Sequence, residues 1–263
     1  MTQWLLVHIP TWVLGVVIAG VVVGLSVAGL VMVRRNVALQ TLESHNAVAG
    51  FIIAVVGVVY AVLLGFVVVV VWQQFISAQA AADQEAADVA SLFECANAFA
   101  EPQRSALDGR LRSYAASVVN HEWPAMARGA ESVRTEHAFH GLWSEWRAVK
   151  PGSKIENRFY IEAVQVMGQL TQARNNRLLA SHAKLPAVMW AALITGGVIT
   201  IGFTYFFGVP NFKAQLLMVA VLAAMIAVVL FLILAMNYPF TGGLSIPPRS
   251  MQDVLEDLRF IRV

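Results

Sequence analysis

The chain has 263 residues, of which 58% are hydrophobic and only 13% charged, with a formal net charge of +2. A soluble domain carries about one-quarter charged residues, so the main solvent of this chain is expected to be lipid. The near balance of charge argues against a nucleic-acid partner, and the single Cys95 excludes an intrachain disulfide.

Charges are absent from Met1 to Val33, Asn46 to Ala82, Leu185 to Phe212 and Ala214 to Pro248. Each stretch exceeds the ~20 residues needed to cross a hydrocarbon core of ~30 Å. The pattern predicts an all-α membrane protein with four transmembrane helices in two hairpins, bracketing a soluble helical bundle. The expected bounds are a first hairpin over 1–76, a bundle over 77–184, a second hairpin over 185–240 and a tail over 241–263. The N-terminal apolar stretch lacks the basic start of a signal peptide and outruns its apolar core, so it reads as a retained span.

The first span is expected over about 11–33, ending at Arg34-Arg35, whose guanidinium groups settle at headgroup level. Gly20, Gly24 and Ala28 repeat every four residues and form a packing seam of small side chains. The second span is expected over about 47–72. Gly50, Ala54, Gly57, Ala61 and Gly65 lie on one helical face there, a second packing seam. Tyr60 sits beside it, and its hydroxyl needs a partner or a water-lined space. No glycine or proline interrupts Phe66 to Glu101, so this span is expected to run on as one helix of about fifty residues, ~75 Å long.

In the soluble part, Asp83 to Lys184 hold twelve basic and twelve acidic side chains. Four apolar stripes mark four amphipathic segments of an antiparallel bundle. The first is Val89, Leu92, Phe93, Ala96 and Phe99; the second is Leu107, Leu111, Tyr114 and Val118, ending near Trp123-Pro124. A third segment covers 131–150 with Trp143 and Trp146, and a fourth starts near Ile155 with Tyr160, Val164, Met167 and Leu170 on one face. The third span, about 185–207, carries a weakly polar stripe of Gly196, Thr200 and Thr204. Such hydroxyls bond back to the helix or across to a neighbour, or line water. The fourth span is expected over about 214–236 and ends at Pro239. Ser250 and Asp253 resemble a capping box that opens a short amphipathic helix with Met251, Val254, Leu255 and Leu258 on one side.

No catalytic residue is indicated, since nucleophile-elbow, phosphate-loop, dinucleotide and zinc-protease patterns are missing, and an enzyme is not expected. Glu136, His137 and His140 fall within one turn, but no third metal ligand matches them. Neither a metal nor a cofactor is predicted. The spans also lack a buried mid-membrane charge, which favours passive conduction or scaffolding over ion-coupled transport. Charge near the span ends is close to a tie: Arg34, Arg35 and Lys213 on one side, Arg174, Arg177, Lys184 and the more distant Arg249 on the other.

The sequence resembles the bacterial bestrophin-like domain family. The resemblance is carried by HNAVAGFIIAVVGVVYAVLLGFVVVVVWQQF over 45–75, AQAAADQEAADVASLF over 78–93, SYAASVVNHEWPAM over 113–126, TIGFTYFFG, and the later NYPFTGG. Its family-motif residues are His45, Asn46, Glu122, Trp123, Pro124, Pro239 and Phe240. Two departures stand out: Ala47 where an acidic residue is expected, and Asn237-Tyr238 where Asp-Arg is expected.

The resemblance implies a homo-oligomer, a pentamer by analogy, in the bacterial inner membrane, with bundle and termini cytoplasmic. It also implies passive conduction of inorganic anions such as chloride through a pore lined by the second span. Phe51, Tyr60 or Phe66 are then the constriction candidates. The competing reading is a sensor or scaffold whose bundle binds a ligand or partner. The side on which the bundle lies, reported by a fusion after Val263 or by labelling Cys95, separates the two.

Overall fold

The computed structural model describes residues 3, 6–7, 9–44 and 46–260, the side chains of residues 44 and 258–260 excepted. Among the described residues the regular structure is entirely helical. We number the helices α1 (Thr11–Asn36), α2 (Leu39–Ser44), α3 (Asn46–Ala96), α4 (Gln103–Ser117), α5 (Trp123–Ala127), α6 (Val133–Ala148), α7 (Lys154–His182), α8 (Ala187–Thr204), α9 (Phe212–Met236) and α10 (Arg249–Phe260). A π-helical turn, Val118–Glu122, joins α4 to α5. α1, α3, α8 and α9 are long and apolar enough to cross a membrane.

The chain divides into two compact units. One comprises residues 8–73 and 184–237; the other comprises 1–7, 74–183 and 238–263. In the first, the most extensive helix pairing is between α1 and α9. It does not use the seam expected on α1, because a methyl group added at Gly20 or Gly24 would meet nothing within 4 Å. Gly15 takes the Phe231 ring of α9 instead, an added Cβ coming within 2.9 Å of it, while Gly29 faces Tyr205 at the end of α8 at the same distance. Every-four spacing marks where a backbone can be approached; it does not say which such stripe is used.

Two asparagines fasten this unit. Asn46 accepts from Gly208 N–H at 2.9 Å and donates to Gly208 C=O at 3.0 Å, so its amide pairs with backbone as another strand of backbone would. Gly208 has no space for a side chain: its Cβ would lie 2.8 Å from Glu43 Cα. Asn237, buried at the end of α9, accepts from the Leu185 N–H at 2.8 Å just before α8 begins. Leu185 precedes the N-cap residue Pro186, so its amide has no partner within the helix. Asn237 stands at a family position where an acidic side chain was expected, and its carbonyl oxygen performs the acceptor role equally.

In the second unit, every residue of the stripes on α3 and α4 is buried, from Val89 to Phe99 and from Leu107 to Val118. Around them pack Phe139, Leu142 and Trp146 from α6 and Ala163, Met167 and Leu170 from α7. Val164, expected inside, is exposed. Small Ala163 holds that inner position, and a volume rule that favours the larger side chain misplaces it. Serine caps open α6 and α7, with Ser132 accepting from Thr135 N–H and Ser153 from Glu156 N–H. Trp123-Pro124 does not stop the chain: Pro124 falls in the first turn of α5, where a missing N–H costs nothing. At the C-terminal end Phe240, Ile246 and Met251 join the core, with Val254 and Leu255 packed against it. Ser250 bonds Asp83 Oδ1 at 2.5 Å rather than forming the expected capping box. The side chain of Leu258 lies outside the described residues.

Replacing Asn237 by Ala leaves the Leu185 N–H buried without an acceptor, at a cost of about 1–3 kcal/mol. Thermal unfolding in detergent is expected to show that loss for Asn237→Ala and little change for Asn237→Asp at neutral pH.

Candidate functional site

The second span presents two faces. On one, Phe51, Val55, Val58, Val62, Phe66 and Val69 are all exposed, Phe51 at 74% and Phe66 at 65%. On the other, Val67 and Val71 are fully buried, and Tyr60 is 5% exposed with its hydroxyl donating to the Leu193 carbonyl of α8 at 3.0 Å. Of the three aromatic constriction candidates, the structure therefore leaves Phe51 and Phe66 open and commits Tyr60 to helix packing. Its ring needs Gly196 and Gly197 opposite: an added Cβ at Gly197 would sit 2.9 Å from the Tyr60 oxygen.

The third-span stripe is thus partly a bed for that ring. Thr200 donates to Gly196 C=O at 2.7 Å and Thr204 to Ile201 C=O at 2.6 Å, both bonding back to their own helix. The small-residue seam of the second span is open, since Gly57 and Gly65 would meet nothing within 4 Å and Gly50 only Phe207 at 3.9 Å. Ala54 and Ala61 are exposed as well. Of the motif pair at the start of this span, Asn46 is the backbone clasp described above, and His45 lies outside the described residues.

The second unit holds a feature that residue-by-residue reading missed. Arg177 is fully buried on α7, and its guanidinium grips two carboxylates: Glu85 of α3 through Nε and Nη2, and Glu122 Oε2 at 2.6 Å. Tyr114 donates to Glu85 Oε1 at 2.5 Å, and Arg174 binds Glu122 Oε1 and Glu136 Oε2, each at 2.9 Å. Glu136 reaches His140 Nε2 at 2.8 Å near the surface. Charges therefore alternate in sign from a dry centre outward. Aromatic faces complete the shell, with Arg177 over Trp123 at 5.0 Å and Arg174 over Phe139 at 5.1 Å.

Burial by itself lowers the affinity of Arg177 for its proton, but Glu85 and then Glu122 outweigh it and hold the guanidinium above its ordinary value. The Tyr114 hydroxyl is pushed well up, by burial first and by Glu85 next, so it stays a donor. Asp88, one turn along α3 from Glu85, is buried with Oδ1 held by Gln84 at 2.8 Å and Oδ2 without a hydrogen-bond partner. Its carboxyl is raised, by burial first and by Glu85 against the help of Gln84.

The motif residues of this unit converge on that centre. Glu122 is its middle carboxylate, Trp123 covers Arg177 and donates to the Ile246 carbonyl at 2.9 Å, and Phe240 meets the Trp123 ring edge-on at 5.7 Å. Pro239 accepts from Ile246 N–H at 2.8 Å. Arg174 and Arg177, tallied from sequence as membrane-flanking charges, are interior groups instead. Their spacing of three, shared with Glu85 and Asp88, was the available signal. Glu136 pairs with His140 and with Arg174, and among the described residues no cluster of three or more His, Cys, Asp or Glu is placed to hold a metal. Cys95 is buried and its thiol is pushed up to about 11 by burial, then by Glu162 and Glu94. It is therefore a poor labelling handle.

A family model for the bestrophin-like domain matches residues 20–251. No curated protein matches the chain. Two solved structures share its fold. One is a point mutant of a bacterial bestrophin homologue from Klebsiella pneumoniae, with a TM-score of 0.72 at 12% identity over 92% of this chain and 99% of that one. The other is a point mutant of a membrane protein, with a TM-score of 0.72 at 12% identity over 92% and 98%.

Removing one partner of the buried ladder strands a charge, so Arg177→Met or Glu122→Leu alone is expected to cost about 3–5 kcal/mol. Far-ultraviolet circular dichroism through a denaturant series measures this. Asp88→Asn is expected to stabilise at neutral pH. A carboxyl raised in the folded state contributes stability that is present below the ordinary aspartate range and lost as pH rises through the folded value. The gain from Asp88→Asn therefore shrinks as melting is followed into acid.

Proposed function

The chain belongs to the bestrophin-like domain family, and on that premise we propose that it assembles as a homo-oligomeric channel. In this reading the exposed face of the second span lines a passive ion pathway, and the carried ions are inorganic anions of the chloride type. The single observation that supports it is the unpartnered face of α3: an unbroken apolar row from Phe51 to Val69 opposite a buried row through Tyr60, Val67 and Val71. A helix that serves only as a lipid-facing support needs no large aromatic residues spaced along one open face. A pore built from several copies gains a dewetting constriction from rings of Phe51 or Phe66. The open seam of Gly50, Ala54, Gly57, Ala61 and Gly65 supplies close approach for a neighbouring subunit's helix.

By analogy with bestrophins the oligomer is a pentamer in the inner membrane, with the 77–184 segment and both termini cytoplasmic. A reporter fused after Val263, together with a cysteine at exposed Ser91 in a Cys95→Ser background, is expected to report the cytoplasmic side.

Chloride flux from liposomes containing the purified oligomer is the direct test, and it is expected to be passive and saturable. Phe66→Ala, and to a lesser degree Phe51→Ala, should raise single-channel conductance by widening the apolar constriction, whereas Tyr60→Phe should alter stability more than conductance. Silence across ions, voltages and pH would overturn the channel reading and return the sensor or scaffold reading.

A further inference from the structure

The exposed row of α3 does not stop where the apolar residues do. From Phe51 it steps by three and four through Val55, Val58, Val62, Phe66 and Val69, and the same steps lead on to Gln73, Ser77, Ala80 and Gln84, all exposed. That period is helical, so these residues recur at one register position along α3. At its end the face changes chemistry. Beside Ser77 and Gln84 of α3, the exposed side of α7 brings Gln169, Gln172 and Asn176, and together they line an open groove of about 700 Å³. Alanines, among them buried Ala81 and Ala173, and the exposed Leu179 complete the lining, and none of its lining residues is charged.

The charges nearby are turned elsewhere. Arg174 and Arg177 face the buried carboxylates, Gln84 holds Asp88, and Asp83 bonds Ser250. Within the groove the amides are organised, with Gln172 Nε2 donating to Asn176 Oδ1 at 3.0 Å.

We propose that this groove is a stretch of the conduction pathway in which side-chain amides replace part of the water around a passing monovalent ion; it rests on the channel reading above. A carboxamide offers two N–H donors to an anion and a carbonyl oxygen to a cation. Amides spaced along a largely apolar, uncharged lining lower the dehydration cost for either sign and choose weakly between them. Liquid water occupies about 30 Å³ per molecule, so the groove holds an ion with its first shell. Discrimination by charge sign at this level therefore depends on the absence of Asp, Glu, Lys and Arg from the groove, because rings of such side chains impose selectivity.

The test is the reversal potential of the reconstituted full-length protein under a salt gradient, for wild type, Gln172→Glu and Gln172→Lys. Gln172 is exposed on a helix, so both variants should fold. The same two charges at exposed Ala106 of α4, outside the groove, serve as the control. The expected result is a several-fold change in the cation-to-anion permeability ratio, upward for Glu and downward for Lys, with the Ala106 variants matching wild type. Equal ratios for wild type and both Gln172 variants overturn the proposal while leaving the channel reading intact. So does loss of the oligomer on size-exclusion chromatography in both variants, which would make the groove a subunit contact. A wild-type protein that carries no current in the same solutions overturns the channel reading and this proposal together.

Discussion

A guanidinium sealed from water has to be answered in full, and Arg177 is answered by carboxylates on two sides, a thioether sulfur and an indole face. Much of the soluble unit follows from meeting that demand. Glu85 sits on α3, Glu122 on the π-helical turn and Tyr114 on α4, while the arginine itself is on α7, so one buried group reads the relative placement of four pieces of chain. Apolar replacement of a whole buried ionic centre is often neutral or stabilising. What the ionic centre adds is intolerance of any register but one. A one-residue slip of α7 would leave two arginines and two glutamates buried and unmatched. The π-turn spans the step from Val118, the last residue of the second apolar stripe, to Glu122, and both are buried.

Along α3 the rules of packing change with the surroundings. In the soluble stretch the buried face is alanine, valine, leucine and phenylalanine around Glu85 and Asp88, and the outward face is amide, hydroxyl and acid. In the apolar stretch both faces are hydrophobic, so hydropathy says nothing about which is inside. There the distinction is carried by size and by a single hydroxyl, with Tyr60 and the glycines of α8 marking the packed side.

That contrast explains how much of the molecule could be read beforehand. The four spans were plain, because the absence of charge over twenty residues has few other causes. The stripes from Val89 to Phe99 and from Leu107 to Val118 were plain too, because water on one side sorts residues by polarity. Helix pairing inside the apolar unit was not legible. Gly15 and Gly29 look no different in sequence from Gly20 and Gly24, yet only the first pair receives a neighbour's ring. Arg174 and Arg177 were misassigned for a related reason: proximity to a span suggested the headgroup region, and only their partners, up to ninety residues away along the chain, reveal an interior role. Glu122, Trp123 and Phe240 were singled out as motif residues, but their meeting around one arginine is a fact of three dimensions.

The two asparagine fasteners carry a consequence of a different kind. Asn46 gives and takes a hydrogen bond with the same backbone residue, a duty that an ionised carboxylate or an ammonium group fulfils by halves. Asn237 holds the start of a membrane helix with an oxygen that never binds a proton in the physiological range. A carboxylate in either place would make the fastening depend on pH, since it only accepts when ionised and gains an O–H donor when protonated. With amides in both places, the hydrogen bonds that fasten the apolar unit are the same at acid and at neutral pH.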